Sequence, residues 1–163
     1  MDKLYWVIPG KLAGRPGPDR APWSVEALLQ IGIRAVLSVN DGLLVHPEDF
    51  DAHGVAYACV PLSDNAPPVK GDDRHCEEAL PIAYHFAATE ISRGNPVLVH
   101  CSSGKDRTGL FLCYFLTRQF GLSPAEAIRN VRRVQPIVLS ASGWEDFAID
   151  LLSSCSQEHI TSR

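Results

Sequence analysis

The stretch from Pro96 to Gly121 constrains the fold of this chain more than any other part of the sequence. Residues 96–100 form a short, mostly apolar run of the kind expected for a strand that is buried on both faces. Seven small or polar residues follow, and residues 108–120 are apolar enough to form a buried helix that ends at Gly121. A buried strand joined by a short loop to a buried helix is typical of an α/β fold.

Apolar runs and helix-like patterns also alternate along the rest of the chain. The predicted strands cover residues 4–8, 35–39, 55–60 and 96–100. The predicted helices cover residues 22–30, 47–53, 72–93 and 108–120, with two more beginning at the capping boxes of Ser123 and Ser142. We therefore expect an α/β fold with a central, mostly parallel sheet flanked by helices and a helical C-terminal half. We expect a single domain over residues 1–163, with its core at about 5–152 and a frayed tail at 156–163.

Composition excludes several classes of function. A net charge of -4 gives no support to nucleic-acid binding, which normally needs a basic surface. The five cysteines have neither disulfide-like nor zinc-finger spacing, so we expect free thiols, no metal and no cofactor. The N-terminal residues do not resemble a signal peptide, and no apolar run is long enough for a transmembrane helix. These features favour a cytoplasmic location, and they leave the oligomeric state open.

The loop after residue 100 has the composition of an anion-binding site. A small, polar, glycine-containing turn between a strand and a helix directs backbone N–H groups inward, and the helix N-terminus adds a positive field. We expect this phosphate-binding loop to comprise Ser102, Ser103, Gly104, Lys105 and Asp106. A cysteine at the start of such a loop is favoured as the thiolate, which is the nucleophilic form. The sequence therefore predicts Cys101 as a nucleophile that attacks phosphorus.

Three further residues have predicted roles around this loop. The planar guanidinium of Arg107 can bind two phosphate oxygens at once, which a lysine cannot. The hydroxyl of Thr108 can donate a hydrogen bond to the sulfur of Cys101 and help it leave. His100 is expected to shape the loop through a hydrogen bond.

The pattern H-C-x-x-G-x-x-R-S/T-G in this stretch resembles the active-site motif of the protein-tyrosine and dual-specificity phosphatases. Its defining positions are filled by His100, Cys101, Gly104, Arg107, Thr108 and Gly109. A Walker A loop is excluded, because Asp106 replaces the serine or threonine and Val99 the first glycine of that motif. The resemblance implies a metal-free phosphomonoester hydrolase that forms a phosphocysteine intermediate.

Such an enzyme also needs an acid to protonate the leaving oxygen. Asp64 lies between Pro61 and a Pro-Pro pair at 67–68, and this segment resembles the acid loop of the phosphatase-and-tensin and regenerating-liver types. The resemblance implies that Asp64 is the general acid. The alternative is a turn or cap residue, in which case Asp72 or Asp73 would be the fallback acid; Asp106 is a less favoured candidate.

The substrate is open at this stage. A phosphorylated protein is the first expectation and a phosphoinositide the alternative, because Lys105 resembles a residue of phosphoinositide phosphatases and adds positive charge at the mouth. Lys105 could equally pair with Asp106 and have no effect on which substrate is bound. Two further classes stay open, a non-catalytic phosphate-binding module and a rhodanese-like sulfur carrier or arsenate reductase.

Two residues outside the motif have weaker interpretations. Arg15 is a candidate for reaching into the pocket. The phosphatase-and-tensin and regenerating-liver types carry a second cysteine that can form a disulfide with the nucleophile. Its place falls near Asn40 here, which leaves Cys59 or Cys113 as possible substitutes.

Overall fold

The computed structural model describes residues 1–40 and 42–161 of the chain. Within these residues, five strands form one sheet in the order β1-β2-β5-β3-β4. The strands are β1 (Tyr5–Ile8), β2 (Leu12–Pro16), β3 (Ala35–Ser38), β4 (Ala56–Cys59) and β5 (Val97–Cys101). Only the β1–β2 pair is antiparallel, and the other three pairs are parallel, which confirms the predicted mostly parallel sheet.

Helices cover both faces of this sheet. They are α1 (Val25–Gln30), α2 (Pro47–Ala52), α3 (Asp72–Ser92), α4 (Arg107–Phe120), α5 (Pro124–Arg132) and α6 (Trp144–Thr161). Pro81 lies inside α3 without ending it. Helix α6 continues through most of the segment for which the sequence predicts a frayed tail, and residues 162–163 lie outside the described residues. Among the described residues, none of the helices combines the length and the apolar character that a membrane span requires.

The sheet separates two clusters of buried apolar side chains. Successive side chains of a strand point to opposite faces. On β5, Val97, Val99 and Cys101 therefore join the larger cluster, which contains residues of α3 to α6, while Leu98 joins the smaller cluster beneath α1 and α2. Because β5 is the central strand and is buried along its whole length, the loop that follows it starts from a fixed point.

Strand β2 was not predicted from the sequence. Its residues Gly14, Arg15 and Pro16 are unfavourable or unusual in a buried strand, yet all three are buried and pair with β5. Glycine is required at position 14, because a Cβ atom there would lie 2.5 Å from the phenol ring of Tyr5 on β1. Packing between strands thus outweighs local propensity, and β2 supports the loop after β5 from one side.

Candidate active site

The loop between β5 and α4 has its carbonyl groups turned outward. The carbonyl of Ser102 accepts a hydrogen bond from the Gly17 backbone N–H at 2.8 Å. The carbonyl of Gly104 accepts one from the Tyr5 hydroxyl at 2.6 Å, and the Lys105 carbonyl accepts one from the first turn of α4. Since C=O and N–H point in opposite directions across a trans peptide, the N–H groups that follow these carbonyls face the hollow of the loop. Inward N–H groups at a helix N-terminus form an anion-binding cradle.

Gly104 gives this loop its shape. Its φ is +69°, in the left-handed region that side chains other than glycine rarely adopt. A Cβ atom at this position would lie 2.5 Å from the carbonyl carbon of Arg15 and 2.6 Å from the backbone nitrogen of Pro16. The end of β2 therefore fits directly against the loop, and no larger residue can occupy this position without moving it.

Cys101 lies at the floor of the loop and is fully buried. The Thr108 hydroxyl lies 3.1 Å from the Cys101 sulfur, with its oxygen as the donor. A hydroxyl in this position stabilises negative charge on the sulfur, both on the thiolate and on the sulfur as it leaves a covalent intermediate.

His100 points to the opposite face of the sheet, where it is also fully buried. Its Nδ1 lies 3.1 Å from the Cys101 carbonyl oxygen, and its Nε2 lies 2.5 Å from Oγ of Ser38. Burial, helped by the nearby Arg15 guanidinium, lowers the pKa of His100 to about 4. The ring is therefore neutral at neutral pH, so Nδ1 donates to the Cys101 carbonyl while Nε2 accepts from Ser38.

The Arg107 side chain begins at the first residue of α4 and is held in place by three contacts. Its Nε donates to the carbonyl of Ser63 at 2.5 Å and lies 4.0 Å from Oδ1 of Asp64. Its guanidinium carbon lies 5.3 Å from the centre of the Trp144 ring. These contacts orient the planar fork and couple it to the segment that carries Asp64.

Asp64 itself is exposed, with 78% of its side chain accessible. The residues that follow it are held by hydrogen bonds to Asp72. The buried carboxylate of Asp72, at the start of α3, accepts from the Asn65 side-chain amide at 3.0 and 3.1 Å and from the Val69 backbone N–H at 2.7 Å. Burial raises the pKa of Asp72, but hydrogen bonds from Val69, Asn65 and Ser63 outweigh this and lower it. Asp72 is thus an ionised brace of the loop at neutral pH and not a proton donor.

Lys105 and Asp106 interact with each other. The Lys105 ammonium lies 3.7 Å from Oδ2 of Asp106, whose Oδ1 accepts from the Ala141 backbone N–H at 3.2 Å. Asp106 is buried and connects the loop to the segment before α6. This geometry matches the interpretation in which Lys105 pairs with Asp106. Both carboxylate oxygens of Asp106 have partners within the protein, which disfavours Asp106 as the proton donor to a leaving group.

Two of the weaker sequence interpretations are wrong. Arg15 does not point into the hollow, because it pairs in register with His100 on the opposite sheet face and stacks on Trp23 at 5.1 Å. Cys59 pairs through Ser38 with His100, so its side chain lies on the face opposite to Cys101, two strands away. No disulfide with Cys101 can form from that position without rearrangement.

Cys113 is a buried residue of α4, and burial raises its pKa to about 12. A thiol in such surroundings is inert and acts as part of the core.

Sequence reasoning missed the contribution of Tyr5 to the site. Tyr5 reaches the loop from a strand 99 positions earlier, and no local pattern signals such a contact. The Ser102 hydroxyl donates to Asp19 at 2.7 Å and accepts from Arg20 Nε at 3.0 Å, so the predicted phosphate contact of Ser102 is left to its backbone N–H. No group of three or more His, Cys, Asp or Glu side chains in the described part of the chain is arranged to hold a metal ion.

A mostly parallel sheet whose central strand ends in a buried cysteine, followed by an anion-binding loop and a helix, defines the protein-tyrosine phosphatase class of fold. Residues 1–146 match the family described as "PTP-SAK: Swiss Army Knife protein, DSP-PTPase phosphatase domain", and the chain belongs to this family.

Three known proteins illustrate the similarity. The dual specificity protein phosphatase 1 of Arabidopsis thaliana is 25% identical over 129 residues, which cover 78% of this chain and 60% of that protein. The crystal structure of Tk-PTP in the active form superimposes with a TM-score of 0.72 at 20% identity, covering 93% of this chain and 97% of that one. The crystal structure of PTPMT1 in complex with PI(5)P gives a TM-score of 0.72 at 14% identity, covering 97% and 99%. The chain spans 28% to 60% of the length of the curated relatives it matches first.

Proposed function

We propose that this protein hydrolyses phosphate monoesters through a phosphocysteine on Cys101, as a protein-tyrosine or dual-specificity phosphatase. The observation that carries the proposal is the hydrogen bond from Thr108 to the buried sulfur of Cys101, at the floor of a loop whose carbonyls turn outward. A loop that only bound phosphate would need neither a thiol nor a hydroxyl aimed at it. The same geometry makes the non-catalytic module the weaker interpretation.

In the first step, the Cys101 thiolate attacks phosphorus in line with the leaving oxygen, and the P–O ester bond breaks as the S–P bond forms. The inward N–H groups of the loop and the fork of Arg107 stabilise the charge on the transferring phosphoryl group. Asp64 donates a proton to the leaving oxygen. Its exposed position suits this role, because the leaving group lies at the mouth of the hollow.

In the second step, water attacks the phosphocysteine and Asp64 takes up its proton. The S–P bond breaks, inorganic phosphate forms, and Cys101 leaves as a thiolate that accepts the hydrogen bond from Thr108. The step restores both catalytic groups to their starting protonation states.

We propose a phosphorylated protein as the substrate. The exposure of Asp64 supports an open mouth that accepts side chains of different length, and the pairing of Lys105 with Asp106 leaves this lysine partly neutralised. A phosphoinositide is the second candidate. It is favoured by the positive charge of Lys105 and by the likeness to a protein crystallised with PI(5)P.

We also propose that residues 1–163 act as a single catalytic domain in the cytoplasm. All five cysteines are free thiols in the structure, which suits a reducing compartment.

The test is phosphate release from a phosphotyrosine peptide, a phosphoserine/threonine peptide and a panel of phosphoinositides. Cys101→Ser provides the blank and Cys59→Ser the matched control, since Cys59 lies on the other face of the sheet. We expect turnover that is highest with phosphotyrosine, lost in Cys101→Ser and kept in Cys59→Ser. Turnover led by lipid would favour the second candidate. Turnover that survives in Cys101→Ser, or no turnover of any substrate, would overturn the proposed mechanism.

A further inference from the structure

The Tyr5 hydroxyl is the one side-chain donor on the carbonyl of Gly104 among the described residues. The 2.6 Å contact is buried, and Tyr5 as a whole residue is only 7% exposed. Burial raises the pKa of Tyr5 well above its ordinary value, and negative charge on Cys101 would raise it further. The hydroxyl therefore stays protonated and can donate at any pH at which the protein works.

The glycine at position 14 of β2 leaves room for the phenol ring of Tyr5. Tyr5 pairs with Gly14 on β2, and a Cβ atom at Gly14 would lie 2.5 Å from both Cζ and the hydroxyl oxygen of Tyr5. The same strand meets Gly104 through the carbonyl of Arg15. The missing side chain at Gly14 thus opens a passage through which Tyr5 reaches the underside of the loop.

The contact fixes the direction of one peptide group. Because the Gly104–Lys105 peptide is trans, a Gly104 carbonyl that points down to the buried Tyr5 hydroxyl directs the Lys105 N–H up, toward the solvent side where an anion enters. Glycine at a φ of +69° is conformationally permissive, so this peptide can rotate more easily than its neighbours. The other outward carbonyls are held by backbone donors, whereas this one depends on a side chain.

We propose that Tyr5 is a positioning residue that holds the Lys105 backbone N–H toward the bound phosphoryl group. The catalytic role of Tyr5 rests on the proposed function. The binding of an anion by the Lys105 amide, which Tyr5 positions, can be measured independently of catalysis. Tyr5 does not touch the substrate and acts only through the Gly104–Lys105 peptide.

The test is the titration of Cys101→Ser protein with inorganic phosphate, observed through backbone amide signals in NMR spectra. In this protein we expect the Lys105 amide to shift strongly with phosphate. In Cys101→Ser/Tyr5→Phe, which keeps the ring and loses the hydroxyl, we expect the Lys105 shift to vanish and phosphate affinity to fall about tenfold or more, as for the loss of a hydrogen bond to a charged group. The matched control is Tyr84→Phe in the same background, since the Tyr84 hydroxyl donates to Gln119 on α4 at 2.7 Å and lies outside the loop. The control should leave both readouts unchanged.

Two results would overturn the inference. One is a Lys105 amide that ignores phosphate in the protein with Tyr5 intact, a measurement that does not depend on how well the Tyr5→Phe variant folds. The other is unchanged affinity and an unchanged Lys105 shift in the folded Tyr5→Phe variant. Because the titration needs no turnover, a protein that binds phosphate in this way yet hydrolyses nothing would refute the proposed function and leave the role of Tyr5 standing.

Discussion

Buried His100 should make the stability of this protein depend on pH in a predictable direction. In the folded state its pKa is lowered to about 4 from an ordinary value of 6.5, chiefly by burial. The unfolded chain therefore binds the proton more tightly than the folded one. The resulting stabilisation is fully present above about pH 6.5 and is lost as the pH falls through about 4. At about 1.4 kcal/mol per pH unit, the loss from this one residue is about 3 kcal/mol.

The assay is denaturant unfolding over a series of pH values for the wild type and for His100→Asn. Asparagine does not titrate, and its amide N–H can replace Nδ1 as the donor to the Cys101 carbonyl. Although the variant starts less stable, its free energy of unfolding should fall by about 3 kcal/mol less than that of the wild type between neutral pH and about pH 4. The control His85→Asn, at an exposed position of α3, should follow the wild type. Parallel curves for wild type and His100→Asn would show that His100 is not a buried neutral ring in the folded state, and would contradict the prediction.

Two other substitutions test the supports of the site. Asp72→Asn replaces a charged acceptor of three hydrogen bonds from Asn65 and Val69. It should therefore lower the free energy of unfolding by about 1.5 to 3 kcal/mol and reduce turnover, whereas the exposed neighbour Asp73→Asn should do neither. Equal effects of the two substitutions in thermal unfolding and phosphate release would contradict the bracing role. Thr108→Ala removes the donor to the sulfur of Cys101, so it should slow breakdown of the phosphocysteine about tenfold or more and produce a burst of product before steady turnover. The control Thr117→Ala, farther along the same helix, should show no burst, and a normal steady state in Thr108→Ala would argue against a role for the hydroxyl in the leaving step.

The strand, loop and helix around Cys101 could be predicted because their signals are local. An apolar run, a glycine-containing turn and an apolar helix follow one another without interruption, and each pattern needs only its own residues for its interpretation. The start of α5 was equally clear, since Ser123 caps it by accepting from the Glu126 backbone N–H at 3.2 Å.

Strand β2 could not be predicted, because long-range packing decides its structure. Gly14 and Pro16 oppose a strand locally, and Arg15 opposes burial. These three residues nevertheless form a strand, because β2 pairs with β1 on one side and with β5 on the other. In addition, the ring of Tyr5 occupies the space that a side chain at position 14 would fill.

The fallback acids show a second limit of the sequence. Asp72 and Asp73 are adjacent and chemically identical, so no pattern separates them. Only the fold shows that Asp72 turns inward to bind Asn65 and Val69 while Asp73 faces solvent. The contact of Tyr5 with Gly104, 99 positions away in the sequence, is likewise visible only in the folded structure.

The phosphocysteine mechanism is tested most directly by trapping the phosphorylated protein. Wild type and Thr108→Ala are mixed with an aryl phosphate, quenched with acid within the first turnover, and digested for peptide mass spectrometry. We predict one added phosphoryl group on the peptide that carries Cys101, in larger amount in Thr108→Ala and absent in Cys101→Ser. Rapid phosphate release with no phosphoryl group on Cys101, or with the group on another residue, would contradict the account.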